Sequence, residues 1–302
     1  MMPVSGDAIC GVLPALMTPF GSDGSVDVDM ARRLVRRQIE DGAHGFFVCG
    51  STGEGLMMAI DERKRMAQTV IEEVAGQVPV MVHVGAVCTD HAVELAKHAK
   101  KAGAAAVSSL PPIYYRVGLA GMMAHVRAIA QAAELPTYYY HIPAITGVEL
   151  TGDQLVEEFL GVEGLVGLKF THSDMFLMWW IIDAARGRLR VLNGSDQMLF
   201  QGLCTGACGG IGSTYNYQTK TIAGIYNAFA AGDLRTAREL QWKANEVIRV
   251  LFRHGANLSC EKAIMRLKGL DAGVPRSPIQ TFPEQRLGAL KADLDAIGFF
   301  DE

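Results

Sequence analysis

The chain of 302 residues is long enough for one large domain, or for a large domain with a small appendage. Hydrophobic residues make up 49% of it and charged residues 20%, which excludes a disordered or collagen-like chain and a small scaffold that needs disulfides. The formal net charge of −4 argues against a general nucleic-acid binder, because phosphate contacts need clustered positive charge.

The sequence predicts neither a targeting segment nor a membrane anchor. Residues 1–7 lack the basic and apolar regions of a signal peptide, and the longest apolar run, residues 175–182, is too short to span a bilayer. The six cysteines form no CxxC pair, and no spacing suggests a metal site. We therefore expect a protein of the reduced cytoplasm that binds neither nucleic acid nor membranes.

Short runs rich in apolar, β-branched and aromatic residues alternate along the chain with longer segments of helical period. The predicted strands are residues 12–17, 45–49, 78–84, 104–110, 136–141, 165–171, 189–192 and 209–213. The predicted helices that follow them are residues 27–42, 61–75, 89–102, 118–134, 151–160, 173–187, 195–206 and 216–231. Eight such units predict an α/β fold of the TIM (β/α)8 barrel type, in which strands are buried on both faces.

A doubly wound open sheet is the alternative arrangement of alternating strands and helices, but it usually has fewer strands. No GxGxxG opens the first βα turn and no GxxxxGK[ST] is present, so a nucleotide-binding fold lacks its signature. The last 70 or so residues contain no strand signal, and helices are predicted near residues 233–254, 259–269 and 283–297. We predict a barrel over residues 1–232 that carries the active site, and a three-helix C-terminal extension over residues 233–302.

Lys169 is the most informative residue, because it lies in an otherwise apolar strand, GLVGLKFT, of residues 164–171. A strand-end lysine commonly extends its ammonium group to solvent. Inside a barrel, however, desolvation favours the neutral amine, which is a nucleophile toward a carbonyl carbon. Taken alone, the strand leaves a Schiff-base role and a solvent-exposed lysine equally open. The period of two places Thr171 on the same face.

Two further strand ends carry groups that suit carbonyl chemistry. Tyr140 closes the fifth strand, where a phenol could shuttle protons, although tyrosines are also common in strands. The loop of residues 50–55, GSTGEG, follows the second strand and offers backbone N–H groups with the hydroxyls of Ser51 and Thr52. Such a concave set of donors suits a carboxylate, and an ordinary βα turn is the alternative.

Polar residues also follow the seventh and eighth strands, as NGSDQ at residues 193–197 and GSTYN at residues 212–216. Their hydroxyl, amide and carboxylate groups could bind the hydroxyls of a sugar. Capping of the next helix is the alternative for the same side chains.

Together these strand ends resemble one family, the pyruvate-dependent Schiff-base aldolases that include dihydrodipicolinate synthase and N-acetylneuraminate lyase. The resemblance runs from Gly11 to the C-terminal helices. It rests on the GSTGE loop, on Tyr140 with Pro143 and Gly147 after it, and on the Gly-Leu-Lys strand that ends at Lys169. The match is closest to N-acetylneuraminate lyases, to which residues 138–144, 167–171 and 212–216 are similar.

Two positions separate members of this family. Dihydrodipicolinate synthases carry an arginine two residues after the proline of the tyrosine motif, where this chain has Ile145, so the synthase reading is disfavoured. Sialate lyases place Asp-Glu after the seventh strand, where this chain has Asp196 and Gln197.

The resemblance implies a homotetrameric carbon–carbon lyase that cleaves N-acetylneuraminate to pyruvate and N-acetylmannosamine without a metal or cofactor. It implies catalytic roles for Lys169, Tyr140, Ser51 and Tyr114, the last reaching into a neighbouring subunit. It implies a substrate pocket formed by Ser51, Thr52, Thr171, Gly194, Asp196, Gln197 and Ser213. The alternatives are the same chemistry on another 2-keto-3-deoxy sugar acid, and a sensor that binds a keto acid without turnover.

Overall fold

Eight parallel strands form a single sheet in the computed structural model, which describes residues 9–301. They are β1 (Gly11–Pro14), β2 (Phe46–Val48), β3 (Val80–His83), β4 (Ala106–Ser109), β5 (Thr137–His141), β6 (Leu165–Phe170), β7 (Arg190–Asn193) and β8 (Gly209–Gly212). Consecutive strands pair from β2 to β8, and β8 pairs with β1. A bridge between Ala15 and Phe47 joins β1 to β2 and completes the ring. The predicted TIM barrel is confirmed.

Helices follow the strands and cover the outside of the ring. They are α1 (Val28–Glu40), α2 (Ile60–Val74), α3 (Thr89–Ala102), α4 (Gly118–Ala133), α5 (Pro143–Thr146), α6 (Gly152–Leu160), α7 (Met175–Ala185), α8 (Leu199–Thr205), α9 (Tyr215–Ala230), α10 (Leu234–His254), α11 (Leu258–Leu267) and α12 (Glu284–Asp295). The sequence did not predict the short α5. The helix predicted over residues 195–206 begins as a 3-10 turn at Asp196–Met198.

The strands bury side chains on both faces, as a barrel covered by helices requires. Within β5, Tyr138 and Tyr140 join the cluster that fills the ring, whereas Tyr139 packs outward against the helices. In β6, Leu168 belongs to the outer cluster. The alternation of a strand therefore turns the next residue, Lys169, toward the inside of the ring.

The chain after α9 adds three helices, of which α10 packs along α9 and α11 lies against α9, α10 and α12. The division of the chain at residue 232 stays a prediction. Residues 1–8, including the segment judged not to be a signal peptide, and residue 302 lie outside the described residues. Within residues 9–301, no helix has both the length and the apolar character that crossing a membrane demands.

Candidate active site

Lys169 and Tyr140 lie side by side at the C-terminal end of the ring. They are register partners on the neighbouring strands β6 and β5, so their side chains share one face. Lys169 Nζ lies 4.3 Å from the centre of the Tyr140 ring and 4.9 Å from that of Phe47. Both Lys169 and Tyr140 are buried, and within residues 9–301 neither the amine nor the phenol has a hydrogen-bond or ion-pair partner. The pair is therefore free to engage a ligand.

A neutral imidazole lines the same space. The His83 ring lies 6.1 Å from the Tyr140 ring and 5.9 Å from the Phe47 ring. Burial holds the pKa of His83 well below its usual range, and the positive charges of Arg63 and Lys169 lower it further. The Leu110 N–H donates to His83 Nε2 at 3.3 Å, which ties the ring to β4. His83 thus packs beside the site as an uncharged group and adds no competing charge next to the lysine.

Close backbone packing and a buried ion pair hold the GSTGE loop after β2. A Cβ at Gly55 would overlap the carbonyl oxygen of Cys49, so only glycine fits at this close approach. Glu54, with a left-handed φ of 56°, is buried and its Oε1 lies 2.8 Å from Lys262 Nζ. The hydroxyls of Ser51 and Thr52 have no partner within the described chain, and both residues retain solvent access. The loop presents these two hydroxyls as free donors, as a carboxylate site requires.

The loops after β6, β7 and β8 meet on the opposite side of the ring. Gly194 lies so close to Thr171 that a Cβ there would overlap the threonine hydroxyl oxygen. That hydroxyl is buried and has no partner among residues 9–301. Asp196 Oδ2 accepts a hydrogen bond from the Thr214 N–H at 2.7 Å, which ties the β7 and β8 loops together. Burial raises the pKa of Asp196.

Gln197 and Ser213 differ in how they are held. Gln197 is exposed, and its backbone carbonyl accepts a hydrogen bond from Asn245 Nδ2 at 3.2 Å. Ser213 is half-buried, and its hydroxyl donates to Glu261 Oε1 at 3.1 Å. Of the two residues, Ser213 alone has its side chain fixed by another side chain.

Helix α11 contributes to this site, which the sequence did not predict. Glu261 and Lys262 are consecutive, buried and charged, and they contact the β8 loop and the GSTGE loop respectively. The signal was present as a Glu-Lys pair in the apolar run CEKAIM of residues 260–265. Two charges inside an apolar helical face need buried partners, and those partners lie in the barrel loops.

Tyr114, a predicted catalytic residue, lies on the surface of the single chain. It is 89% exposed with a left-handed φ of 74°, and its ring packs edge-on against Tyr115 at 5.0 Å. Within the described part of the chain, no three His, Cys, Asp or Glu residues are grouped closely enough to bind a metal ion.

Comparison with known proteins decides the family. The model of the dihydrodipicolinate synthetase family matches residues 8–297. The chain belongs to this family. It is 38% identical over 286 residues to an N-acetylneuraminate lyase of Salmonella newport (strain SL254), covering 94% of this chain and 96% of that protein. This finding confirms the predicted family and the prediction of a lyase.

Solved structures of the family agree with this assignment. A Proteus mirabilis N-acetylneuraminate lyase superposes with a TM-score of 0.89 at 28% identity, covering 96% of this chain and 99% of that one. A prophage protein of the dihydrodipicolinic acid synthase family from E. coli K12, solved in complex with pyruvate, gives a TM-score of 0.91 at 26% identity, with coverages of 96% and 99%.

Proposed function

We propose that this lyase is a Schiff-base aldolase that cleaves N-acetylneuraminate to pyruvate and N-acetylmannosamine. The observation that carries the proposal is the buried amine of Lys169 beside the ring of Tyr140. Nucleophile and phenol face the same space, and neither is used by a protein partner within residues 9–301. The relatives named N-acetylneuraminate lyase, at 37–38% identity over almost the whole chain, support the choice of substrate.

The reaction begins at the ketone carbon C2 of the open-chain sugar acid. Lys169 Nζ attacks C2, Tyr140 gives its phenol proton to the departing hydroxyl, and water leaves, which gives a protonated imine and the Tyr140 phenolate. Tyr140, as the phenolate, then takes the proton of the C4 hydroxyl while the C3–C4 bond breaks, and the electron pair moves into the imine to form an enamine. N-acetylmannosamine departs with its new aldehyde. Protonation of the enamine at C3 and addition of water release pyruvate and restore the amine.

Binding of the substrate is assigned to the two sides of the ring. The free hydroxyls of Ser51 and Thr52 bind the carboxylate next to C2. The ion pair between Glu54 and Lys262 holds their loop in place. Thr171, Gly194, Asp196, Gln197 and Ser213 line the pocket for the rest of the sugar. Asp196 acts there chiefly by joining two loops, because one of its oxygens already accepts from Thr214.

Tyr114 completes the proton path from another subunit. Its side chain is largely exposed in the single chain, and burying it against a second copy would remove apolar surface from water. We propose a homotetramer in which Tyr114 of one subunit joins Ser51 and Tyr140 of its neighbour in a proton relay.

The six cysteines are all free thiols, which suits the reducing conditions of the cytoplasm. We propose this compartment for the enzyme, and we propose that it works without a metal or cofactor, because the protonated imine itself accepts the electron pair.

The second candidate is the same imine chemistry on another 2-keto-3-deoxy sugar acid. Gln197 favours it, because a neutral amide stands where sialate lyases place a carboxylate. Binding of a keto acid without turnover is disfavoured, because a sensor needs neither the nucleophile Lys169 nor the phenol of Tyr140.

One experiment tests both the chemistry and the substrate. Pyruvate release is measured on N-acetylneuraminate and on a panel of 2-keto-3-deoxy acids, and the enzyme is treated with borohydride in the presence of pyruvate. We expect a reduced three-carbon adduct on the peptide that contains Lys169, and no adduct in Lys169→Met. The exposed Lys101→Met is the matched control. An adduct on another lysine, or none in a fully active enzyme, contradicts the mechanism.

A further inference from the structure

A carboxyl group from the C-terminal helices lies directly behind the substrate pocket. Glu261 of α11 is 8% exposed, and its Oε1 accepts the hydrogen bond of the Ser213 hydroxyl at 3.1 Å. Its second oxygen, Oε2, is buried without a partner among residues 9–301. Ser213 directly follows β8 and is partly exposed, and Ile211, two residues before it, packs inside the ring, so the alternation of the strand turns Ser213 inward as well. The contact therefore joins α11 to a residue that faces the pocket.

A serine hydroxyl has one proton and two lone pairs. Because Ser213 gives its proton to Glu261, the oxygen that remains toward the pocket can only accept. A substrate group that donates, such as a hydroxyl, is then matched at this point, and a group that only accepts is not.

We propose that Glu261 is a positioning residue that fixes Ser213 as a hydrogen-bond acceptor for the hydroxyl groups of the substrate's polyol tail. The inference rests on the proposed aldolase function and adds a specificity determinant from outside the barrel. Helix α11 then acts on the site at two points, because the next residue, Lys262, holds the GSTGE loop through Glu54.

The electrostatic surroundings agree with this arrangement. Burial, and then the neighbouring charge of Asp196, raise the pKa of Glu261 to about 8. Among residues 9–301, the other titratable groups that respond to Glu261 are the buried hydroxyl of Tyr217 and the thiol of Cys260. At pH 7 the carboxyl is mostly neutral, and its Oε1 accepts from the Ser213 hydroxyl as a carbonyl oxygen. A glutamine at this position would keep the same acceptor.

The test compares four variants: Glu261→Met, Glu261→Gln, Ser213→Ala, and the double variant Glu261→Met/Ser213→Ala. Each is assayed on N-acetylneuraminate and on 4-hydroxy-2-oxopentanoate, which keeps the reacting carbons and lacks the tail. We expect Glu261→Met to raise KM for N-acetylneuraminate by about 3–10-fold, the loss of roughly one hydrogen bond, with kcat within about twofold. Glu261→Gln should have a KM for N-acetylneuraminate near the wild-type value. For Glu261→Met, kcat/KM on the tail-free acid should stay within about twofold of the wild-type value.

The two single substitutions should not add, because both remove the same oriented acceptor. The inference is overturned if their effects on KM multiply in the double variant, if Glu261→Met lowers kcat/KM equally on the tail-free acid, or if Glu261→Gln behaves like Glu261→Met. Should Glu261→Met fail to fold, Glu261→Leu takes its place in the same cycle. Borohydride trapping of pyruvate on Lys169 is run for every variant. Absence of trapping in the wild type rejects the aldolase function itself. Intact trapping with an unchanged KM for N-acetylneuraminate in Glu261→Met rejects only the role of Glu261.

Discussion

Lys262 Nζ lies 2.8 Å from Glu54 Oε1, and both side chains are almost completely buried. The lysine also donates to the backbone carbonyls of Thr18 and Val274, and the second glutamate oxygen accepts from the backbone N–H of Arg276. Both charged groups therefore have buried partners. It connects α11 to the loop that carries Ser51 and Thr52, so one ion pair couples the C-terminal helices to the proposed carboxylate site.

Breaking this pair should destabilise the protein strongly. Lys262→Met leaves Glu54 as an uncompensated buried charge, and we expect the free energy of unfolding to fall by about 3–5 kcal/mol in urea denaturation. Lys291→Met, which removes an exposed partner of Asp295, should cost no more than about 0.5 kcal/mol. A loss for Lys262→Met as small as that of the control would show that the buried pair contributes little.

Replacing Tyr140 by phenylalanine should separate binding from turnover. Tyr140→Phe keeps the ring that lies against Lys169 and removes only the hydroxyl, so imine formation with pyruvate should persist in borohydride trapping. Proton transfer by a positioned side chain is typically worth roughly 10²–10⁴-fold, and kcat should fall by that factor. Tyr139→Phe, which changes an outward-facing phenol, is the matched control. A near-normal kcat for Tyr140→Phe would assign the proton transfer to another group.

Gln197→Glu should report on the sugar tail. The side chain is exposed and is proposed to line the pocket, where a carboxylate would accept hydrogen bonds with full charge. Bonds to charged groups exceed neutral ones by about 1 kcal/mol, so kcat/KM on N-acetylneuraminate should improve by roughly 3–30-fold. If the natural substrate has a different tail, the same change should lower activity on that substrate. Unchanged cleavage of N-acetylneuraminate would show that position 197 does not set tail recognition.

Subunit mixing should reveal whether Tyr114 acts across an interface. Tyr114→Phe and Lys169→Met subunits are each expected to be nearly inactive alone. In a random mixture, only a Tyr114→Phe site that faces a Lys169→Met partner contains both intact groups, so about a quarter of the sites should be active. The measurement is pyruvate release after joint denaturation and refolding, with each variant refolded alone as the control. No recovery in mixtures that form oligomers would place Tyr114 outside the neighbouring site.

Acid should weaken the fold partly through His141. Burial, and then the charge of His172, lower the pKa of His141 to about 4, whereas the unfolded value lies near 6.5. Between these values the unfolded chain binds more protons, so the stability from this group is complete above about pH 6.5 and is lost as the pH falls toward 4. Between pH 7.5 and pH 5, the titration of His141 lowers the free energy of unfolding by about 2 kcal/mol.

His141→Phe should remove this pH-dependent part of the free energy of unfolding. The ring stacks on Phe170 at 5.3 Å and neither of its nitrogens has a partner within residues 9–301, so phenylalanine fits the contact. The free energy of unfolding, measured at both pH values, should change less with pH than in the wild type. His91→Phe, at an exposed position, should keep the wild-type slope. An unchanged slope in His141→Phe would mean that His141 titrates normally.

The sequence by itself determined the barrel and its chemical groups. Eight apolar runs alternating with eight helical periods leave few arrangements that bury both faces of every strand, and the parallel barrel is one of them. Lys169 was identifiable because a lysine in an apolar strand conflicts with its surroundings unless it has a task. These signals depend on residues close together in the chain, so they can be recognised without knowledge of distant contacts.

Tertiary structure alone decided which side chains meet. A register shift between Thr137 and Tyr138 lets Val166 bulge, and this irregularity pairs Tyr140 with Lys169. Without it, regular pairing from the start of the strands would place His141 opposite the lysine. The contact of Glu261 with Ser213 likewise joins residues far apart in the chain. Such pairings depend on how α11 packs against the barrel, and a one-dimensional pattern of residues does not encode them.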